Sequence, residues 1–179
     1  MKFCGLDFET ANNSKGSICA VGAALLEDGK ITERREYLVK PHKSVDYMNK
    51  FCRDIHGISY EDLRESPEFP QIWQNIRQLL FAADCVVIHN SAFDLSHLRK
   101  VLELYDLSDV SFNCLCSLAL CRHHFPELPH HGLADMAAKF SITFRHHDAL
   151  EDAETCAKIA SKLEIPENFI SRFEYIANL

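Results

Sequence analysis

Three short stretches of this chain hold carboxylates and a histidine at spacings that could do chemistry together. The first, Lys2-Phe3-Cys4-Gly5-Leu6-Asp7-Phe8-Glu9-Thr10, reads as a β-strand ending in two acids two residues apart. Strand side chains alternate faces, so Asp7 and Glu9 project to the same side, with Phe3 and Gly5. Apolar residues on both faces mark a central strand. Two like charges at its end repel one another and resist desolvation, so something positive must compensate them. A divalent cation held by oxygen ligands would do so. The competing reading is a strand end that emerges into water, where both acids are ordinary.

Asp94 is the second such residue, four positions after Asn90 and just past an apolar run. Ser91-Ala92-Phe93-Asp94 also fits the S-x-x-D capping box, and capping and metal binding are compatible roles. Asn90 fits simple turn chemistry as well. The third stretch is His146-His147-Asp148-Ala149-Leu150-Glu151-Asp152-Ala153. Asp148 and Glu151 read as N-cap and third residue of a helix, which leaves His147 before the helix and Asp152 one turn inside it. Two residues five apart on one helix diverge by about 140° at ~3.6 residues per turn. A histidine on the approach escapes that restriction and can turn toward Asp152. A surface histidine with first-turn acids that favour the helix dipole is the alternative.

The elements that must position these groups follow from periodicity. Ile18 to Leu26 reads as a second strand, Asp28-Gly29 as a hairpin turn, and Lys30 to Lys40 as a half-exposed third strand. Val45 to Ile55 reads as a short helix ending at Gly57. Pro67 to Ala83 carries Phe69, Ile72, Trp73, Ile76, Leu79 and Leu80, the stripe of an amphipathic helix. Cys85-Val86-Val87-Ile88 is a buried parallel strand, followed by a helix to about Tyr105. Val110 to Cys114 makes a fifth strand, with helices near 115–124, 132–140 and 148–164. A last amphipathic segment, Glu167 to Ala177, carries Phe169, Ile170, Phe173 and Ile176 and reads as a helical tail packed on the core. The expectation is one α/β domain with a mixed sheet flanked by helices.

The length of 179 residues suits a single domain with a sizeable core, and 47% hydrophobic with 25% charged residues is an ordinary soluble composition. No apolar run reaches the ~20 residues of a membrane span, and no secretory signal precedes the first strand. Eight cysteines scattered through apolar patterns read as reduced thiols of a cytoplasmic protein. The net charge of −7 argues against grip on nucleic acid by bulk electrostatics, although bound metal ions would reverse the sign locally. Arg34, Arg35, Lys40, Lys43, Lys50 and Arg53 collect positive charge, as a phosphate-facing patch or as a solvated face.

Taken in order as D-x-E, then D, then H-x-A-x-x-D, these residues resemble the DEDDh 3′→5′ exonucleases. That family includes the proofreading (epsilon) subunits of bacterial replicative DNA polymerases. The matching text is Gly5-Leu6-Asp7-Phe8-Glu9-Thr10, His89-Asn90-Ser91-Ala92-Phe93-Asp94 and His147-Asp148-Ala149-Leu150-Glu151-Asp152, with His56-Gly57-Ile58-Ser59 as a further loop. The resemblance covers roughly residues 1–164. It implies a ribonuclease H-like fold with a five-stranded mixed sheet, an exonuclease domain over 1–165 and a tail over 166–179. It also implies two divalent cations, Mg²⁺ or Mn²⁺, on Asp7, Glu9, Asp94 and Asp152. Two such ions can stabilise the attacking and leaving oxygens of an in-line displacement at phosphorus. His147, titrating near neutrality, would take the proton. Phe8, Thr10 and Asn90 would hold the terminal nucleotide, with His56 and Ile58 beside its base. Phe93 offers a second wedge, although beside Leu95 and Leu98 on its helix it reads more readily as core. The implied reaction releases nucleoside 5′-monophosphates from a free 3′ end, with single-stranded DNA favoured.

Two rival readings stand beside this one. A zinc module could draw on Cys114, Cys116, Cys121, His123, His124, His130 and His131, although no C-x-x-C pair is present. A catalytically silent binding module would lack one of the acids or the histidine, and none is missing. RNA trimming and short-oligonucleotide degradation stay open as substrates. The segment after Pro166 could dock a polymerase or a second copy of the chain.

Overall fold

The computed structural model describes residues 1–177. Six strands, β1 (Phe3–Thr10), β2 (Ile18–Glu27), β3 (Lys30–Leu38), β4 (Cys85–Ile88), β5 (Val110–Cys116) and β6 (Ile170–Tyr175), form one sheet in the order β3-β2-β1-β4-β5-β6. The first three pair antiparallel through short links, β4 and β5 run parallel to β1, and β6 runs antiparallel to β5. Six helices complete the chain: α1 (Lys50–His56), α2 (Phe69–Ala82), α3 (Ser91–Leu104), α4 (Ser117–His124), α5 (Leu133–Lys139) and α6 (Ala149–Ala160). Two apolar cores form because the central strands are covered on both faces. One joins Cys4, Leu6 and Phe8 to α2 and α3, and the other joins Phe3, Cys85 and Val87 to α4, α5 and α6. This is the expected mixed α/β architecture with one strand more than expected.

The extra strand corrects the reading of the C-terminal segment. Residues 167–177 are a short 3-10 turn, Glu167–Phe169, followed by β6, not a helix. Phe173 and Tyr175 are buried at the strand's period of two, and Phe173 stacks on Phe112 at 5.0 Å. Without β6, β5 would present a row of unpaired backbone groups at the sheet edge, and pairing satisfies them. Ile170, Phe173 and Ile176 recur every three residues, a helical spacing, whereas the strand face is set by Phe173 and Tyr175.

Helix α6 lies unusually close to the sheet. A Cβ placed on Gly5 would sit 1.8 Å from the Ala153 carbonyl oxygen, and one on Gly22 would sit 2.0 Å from that of Ala149. Only glycine at both positions lets the helix backbone rest on β1 and β2. That approach carries Asp152 to the end of β1. All eight cysteines are unpaired and seven are buried. No helix among the described residues is long and apolar enough to cross a membrane.

Candidate active site

The sequence stretches that carry acids converge at the C-terminal end of β1. Asp7 and Glu9 leave the strand on the α6 side, Asp94 comes from the first turn of α3, and Asp152 from the first turn of α6. One oxygen each of Asp7, Glu9 and Asp152 lies within 4.8 Å of the others. Asp94 is not within that limit of all three, but it is their neighbour and is 3% exposed. It is held by the main chain, because the Phe8 N–H donates to its Oδ1 at 3.2 Å. Ser91 is the first residue of α3 rather than its cap, and Asn90 occupies the cap position in a left-handed conformation with φ 65°. The capping-box reading of Asp94 is therefore replaced by a bond to β1.

Electrostatics at this point are unfavourable for charge on the acids. Burial first, then Asp94, Asp152 and Glu9, raise the Asp7 carboxyl well above its ordinary value. Burial and the neighbouring carboxylates push Glu9 up to about 8. Burial raises Asp94 to about 7, against the pull of the Phe8 N–H. Asp152 is raised by burial and partly relieved by His146. The surrounding cavity, about 390 Å³, is lined by these acids and by His89, His146 and His147, and no Lys or Arg lines it. Clustered carboxylate oxygens without a thiolate or a fixed cation are a hard donor set that fits divalent metal ions. Asp7, Glu9 and Asp152 would hold one ion, with Asp94 poised beside them.

Of the two adjacent histidines, His146 makes the closer contact with the acids. Its Nδ1 lies 3.1 Å from Asp152 Oδ2, while His147 reaches the same oxygen through its backbone N–H at 3.2 Å. Their rings stack with centroids 3.9 Å apart. A ring nitrogen of each lies within 4.8 Å of an Asp152 oxygen. His147 adopts φ 66°, a left-handed turn that lets the chain enter α6 with both rings facing the cavity. Asp148 caps the helix as expected by accepting from the Glu151 N–H at 3.0 Å. The Glu151 side chain closes no reciprocal box, because it accepts from the Arg145 N–H instead. His146 was not singled out by the sequence, since H-x-A-x-x-D spacing favours its neighbour.

The expected substrate contacts are partly redistributed. Thr10, His56 and Asn90 line the cavity. His56 Nε2 donates to the Thr10 carbonyl at 3.2 Å and its Nδ1 accepts from the Ile58 N–H at 3.0 Å, so both ring nitrogens serve the fold. Phe8 also lines the cavity, although most of its ring is packed in the core and its N–H is used by Asp94. Ile58 lies outside this cavity and packs beside Ala11, Cys19 and Leu63. The exposed apolar walls are instead Phe51, Ile55 and Phe93, with Phe51 68% and Phe93 45% exposed. Of its two readings Phe93 thus takes the cavity wall and not the core, because Asp94 and His97 take the inward positions of α3. The signal for Phe51 and Ile55 was their four-residue spacing on a helix, bringing both to one face.

The other sequence features have plainer outcomes. Four of the six clustered basic residues are ion-paired, Arg34 with Glu154, Arg35 with Glu33, and Lys50 and Arg53 with the shared Asp54. That favours a solvated face over a phosphate-facing patch. The Cys and His residues of 114–131 form no group able to hold an ion among the described residues. His124 and His131 bond the carbonyls of Glu164 and Phe125, and Cys114 and Cys121 are buried.

Comparison with known proteins agrees with this geometry. Residues 4–160 match the family model RNase_T, described as exonuclease. The chain is 25% identical over 157 residues to DNA polymerase III PolC-type of Streptococcus mutans, covering 86% of this chain and 10% of that protein. It is 27% identical over 164 residues to the PolC-type enzyme of Oceanobacillus iheyensis, covering 90% of this chain and 11% of the relative. The chain therefore spans about a tenth of the length of these curated relatives. Among solved structures, exonuclease X in complex with 5′ overhanging duplex DNA superposes with a TM-score of 0.70 at 20% identity, covering 89% of each chain. The nuclease domain of 3′hExo, a DEDDh family member bound to rAMP, gives 0.72 at 18% identity and 90% of each chain. The match over most of the chain, with the acids and histidines gathered at one cavity, places this protein in the RNase_T exonuclease family, with a fold shared by the DEDDh nuclease domain of 3′hExo.

Proposed function

We infer that the protein is a metal-dependent 3′→5′ exonuclease that removes nucleoside 5′-monophosphates from single-stranded ends, DNA in preference to RNA. The observation that carries this reading is the convergence of Asp7, Glu9 and Asp152 within 4.8 Å in a cavity with no lysine or arginine. Divalent ions, Mg²⁺ or Mn²⁺ by family resemblance, would neutralise the charge on the attacking and leaving oxygens of the displacement. Asp7, Glu9, Asp94 and Asp152 would hold them. His147 acts as the general base: partial burial and the nearby His146 and His56 lower its pKa, which keeps a ring nitrogen free to accept a proton from the attacking water. Phe51, Ile55 and Phe93 give the terminal bases apolar surfaces that accept any sequence, since every base has a π-face. The Asn90 side chain faces the terminal nucleotide from the start of α3. A role beside a polymerase follows from the PolC-type relatives and is part of the same proposal.

The test uses a 5′-labelled single-stranded DNA oligonucleotide and its RNA counterpart with Mg²⁺, Mn²⁺ or EDTA. A metal-dependent ladder that shortens from the 3′ end supports the reading, and the relative rates decide between DNA and RNA. Absence of cleavage with every divalent ion would overturn it in favour of a binding role.

A further inference from the structure

A second concave surface lies beside the cavity, between α3, β6 and the loop that joins β1 to β2. It encloses about 570 Å³ and is lined by Lys15, Ser96, Arg99, Lys100, Arg172 and Glu103, among others. Four cations against one acid is a concentration of positive charge in a chain whose net charge is −7. Glu103 is already taken up by Lys100 at 2.9 Å. Arg99 is held in place, since its Nη2 donates to the Glu174 carbonyl at 2.8 Å and its guanidinium lies 5.0 Å over the Phe173 ring. Lys15 and Arg172 are exposed and form no ion pair among the described residues.

This surface continues from the acidic cavity. Phe93, a wall of the cavity, and Lys100, a wall of the groove, are seven residues apart on α3 and so project from the same helix face. The β1–β2 loop runs alongside, with Asn12 and Asn13 lining the cavity and Lys15 the groove. It is fixed to α3 where the Gly16 N–H donates to buried His97 Nδ1 at 3.2 Å. From Asp94 to Lys100 the helix advances about 9 Å at ~1.5 Å per residue. That advance exceeds one phosphate step of a strand, so the groove lies within reach of phosphates upstream of the terminal nucleotide.

We propose that this groove binds the phosphodiester backbone of the substrate strand, upstream of the 3′-terminal nucleotides held in the acidic cavity. The inference rests on the exonuclease reading and adds to it a polyanion subsite that makes turnover depend on substrate length. It also resolves the charge problem of an acidic nuclease, because attraction comes from a local groove and not from the whole surface.

The experiment compares wild type with a Lys15→Glu/Arg172→Glu double variant on a trinucleotide and on a fifteen-nucleotide DNA strand. The wild type should process the longer strand with the higher kcat/KM, and the variant should lose roughly tenfold on that strand while staying within about twofold on the trinucleotide. The salt dependence of kcat/KM on the long strand should flatten by about 0.7 in log–log slope for each phosphate contact removed. Equal slowing on both substrates, or no change on the long strand, would overturn the groove. Should neither protein hydrolyse either substrate, the exonuclease reading fails on its own. Anisotropy of a labelled fifteen-mer then decides the groove: weaker, less salt-dependent binding by the variant supports it, and identical binding refutes it.

Discussion

Replacing Gly5 by alanine tests whether the close seat of α6 assembles the acids. The added Cβ would meet the Ala153 carbonyl oxygen at 1.8 Å, whereas ordinary contact begins near 3.4 Å. The carbonyl belongs to the helix backbone and cannot rotate away as a side chain would. Helix α6 must therefore retreat by about 1–2 Å, and Asp152, the residue before Ala153, retreats with it while Asp7 stays on β1. A misplacement of ~1 Å at a reacting centre costs about 10²-fold in rate. Overpacking of this kind costs about 1–3 kcal/mol in stability, or roughly 2–4 °C of Tm per kcal/mol for a chain of this size. The assay is kcat/KM on a single-stranded DNA oligonucleotide, with thermal melting of the same sample below its midpoint to establish that the variant is folded. Gly22→Ala, which meets Ala149 at 2.0 Å, should behave alike. Gly132→Ala, where only the mobile end of Asp135 comes as close as 3.0 Å, serves as control and should change little. Wild-type activity in a folded Gly5→Ala protein would refute the argument that glycine-permitted packing brings Asp152 to the trio.

Asp7→Asn should abolish turnover yet raise Tm in EDTA, since it removes a buried carboxyl whose ionisation the fold opposes and the unfolded chain permits; a lower Tm would show that the acids do not oppose folding. His147→Ala should slow hydrolysis by about 10²–10⁴, the range of a general base, and unchanged rates would move that role to another group. Glu9 and Asp94 titrate near 8 and 7 in the fold and near 4 when unfolded, so the folded state holds more protons between those values. Their contribution to stability is thus full below about pH 4, lost progressively as pH rises from there, and gone above 7 to 8. Tm in EDTA should fall over that window while the increment produced by Mn²⁺ grows, and calorimetry showing a pH-independent increment would contradict this. Phe51→Ala should raise KM on single-stranded DNA by about tenfold, within the ~1–3 kcal/mol of one stacked base, with little effect on kcat.

The parts of the acidic cluster were legible in the sequence because they sit at element boundaries, where local rules are strong. Asp7 and Glu9 share a strand face by period alone, and Asp148 caps α6 through a bond to Glu151, three residues away. The amphipathic stripe of α2 and the apolar run of β4 were read directly, since burial imposes its period on the side chains. Features that depend on distant partners could not be read this way. Asp94 looked like a cap until the Phe8 amide on β1 claimed it. Phe93 looked like core until α3 turned Asp94 and His97 inward, and β6 looked like a helix until the open edge of β5 offered it backbone partners. His146 and the basic groove were invisible for the same reason. The sequence by itself determined which residue types lie at which element ends, because alternation, capping and turn chemistry act over a few residues. Only the tertiary structure decided which of them meet, because glycine-sized gaps, edge pairing and cavity walls arise between segments tens of residues apart, where no local spacing records the contact.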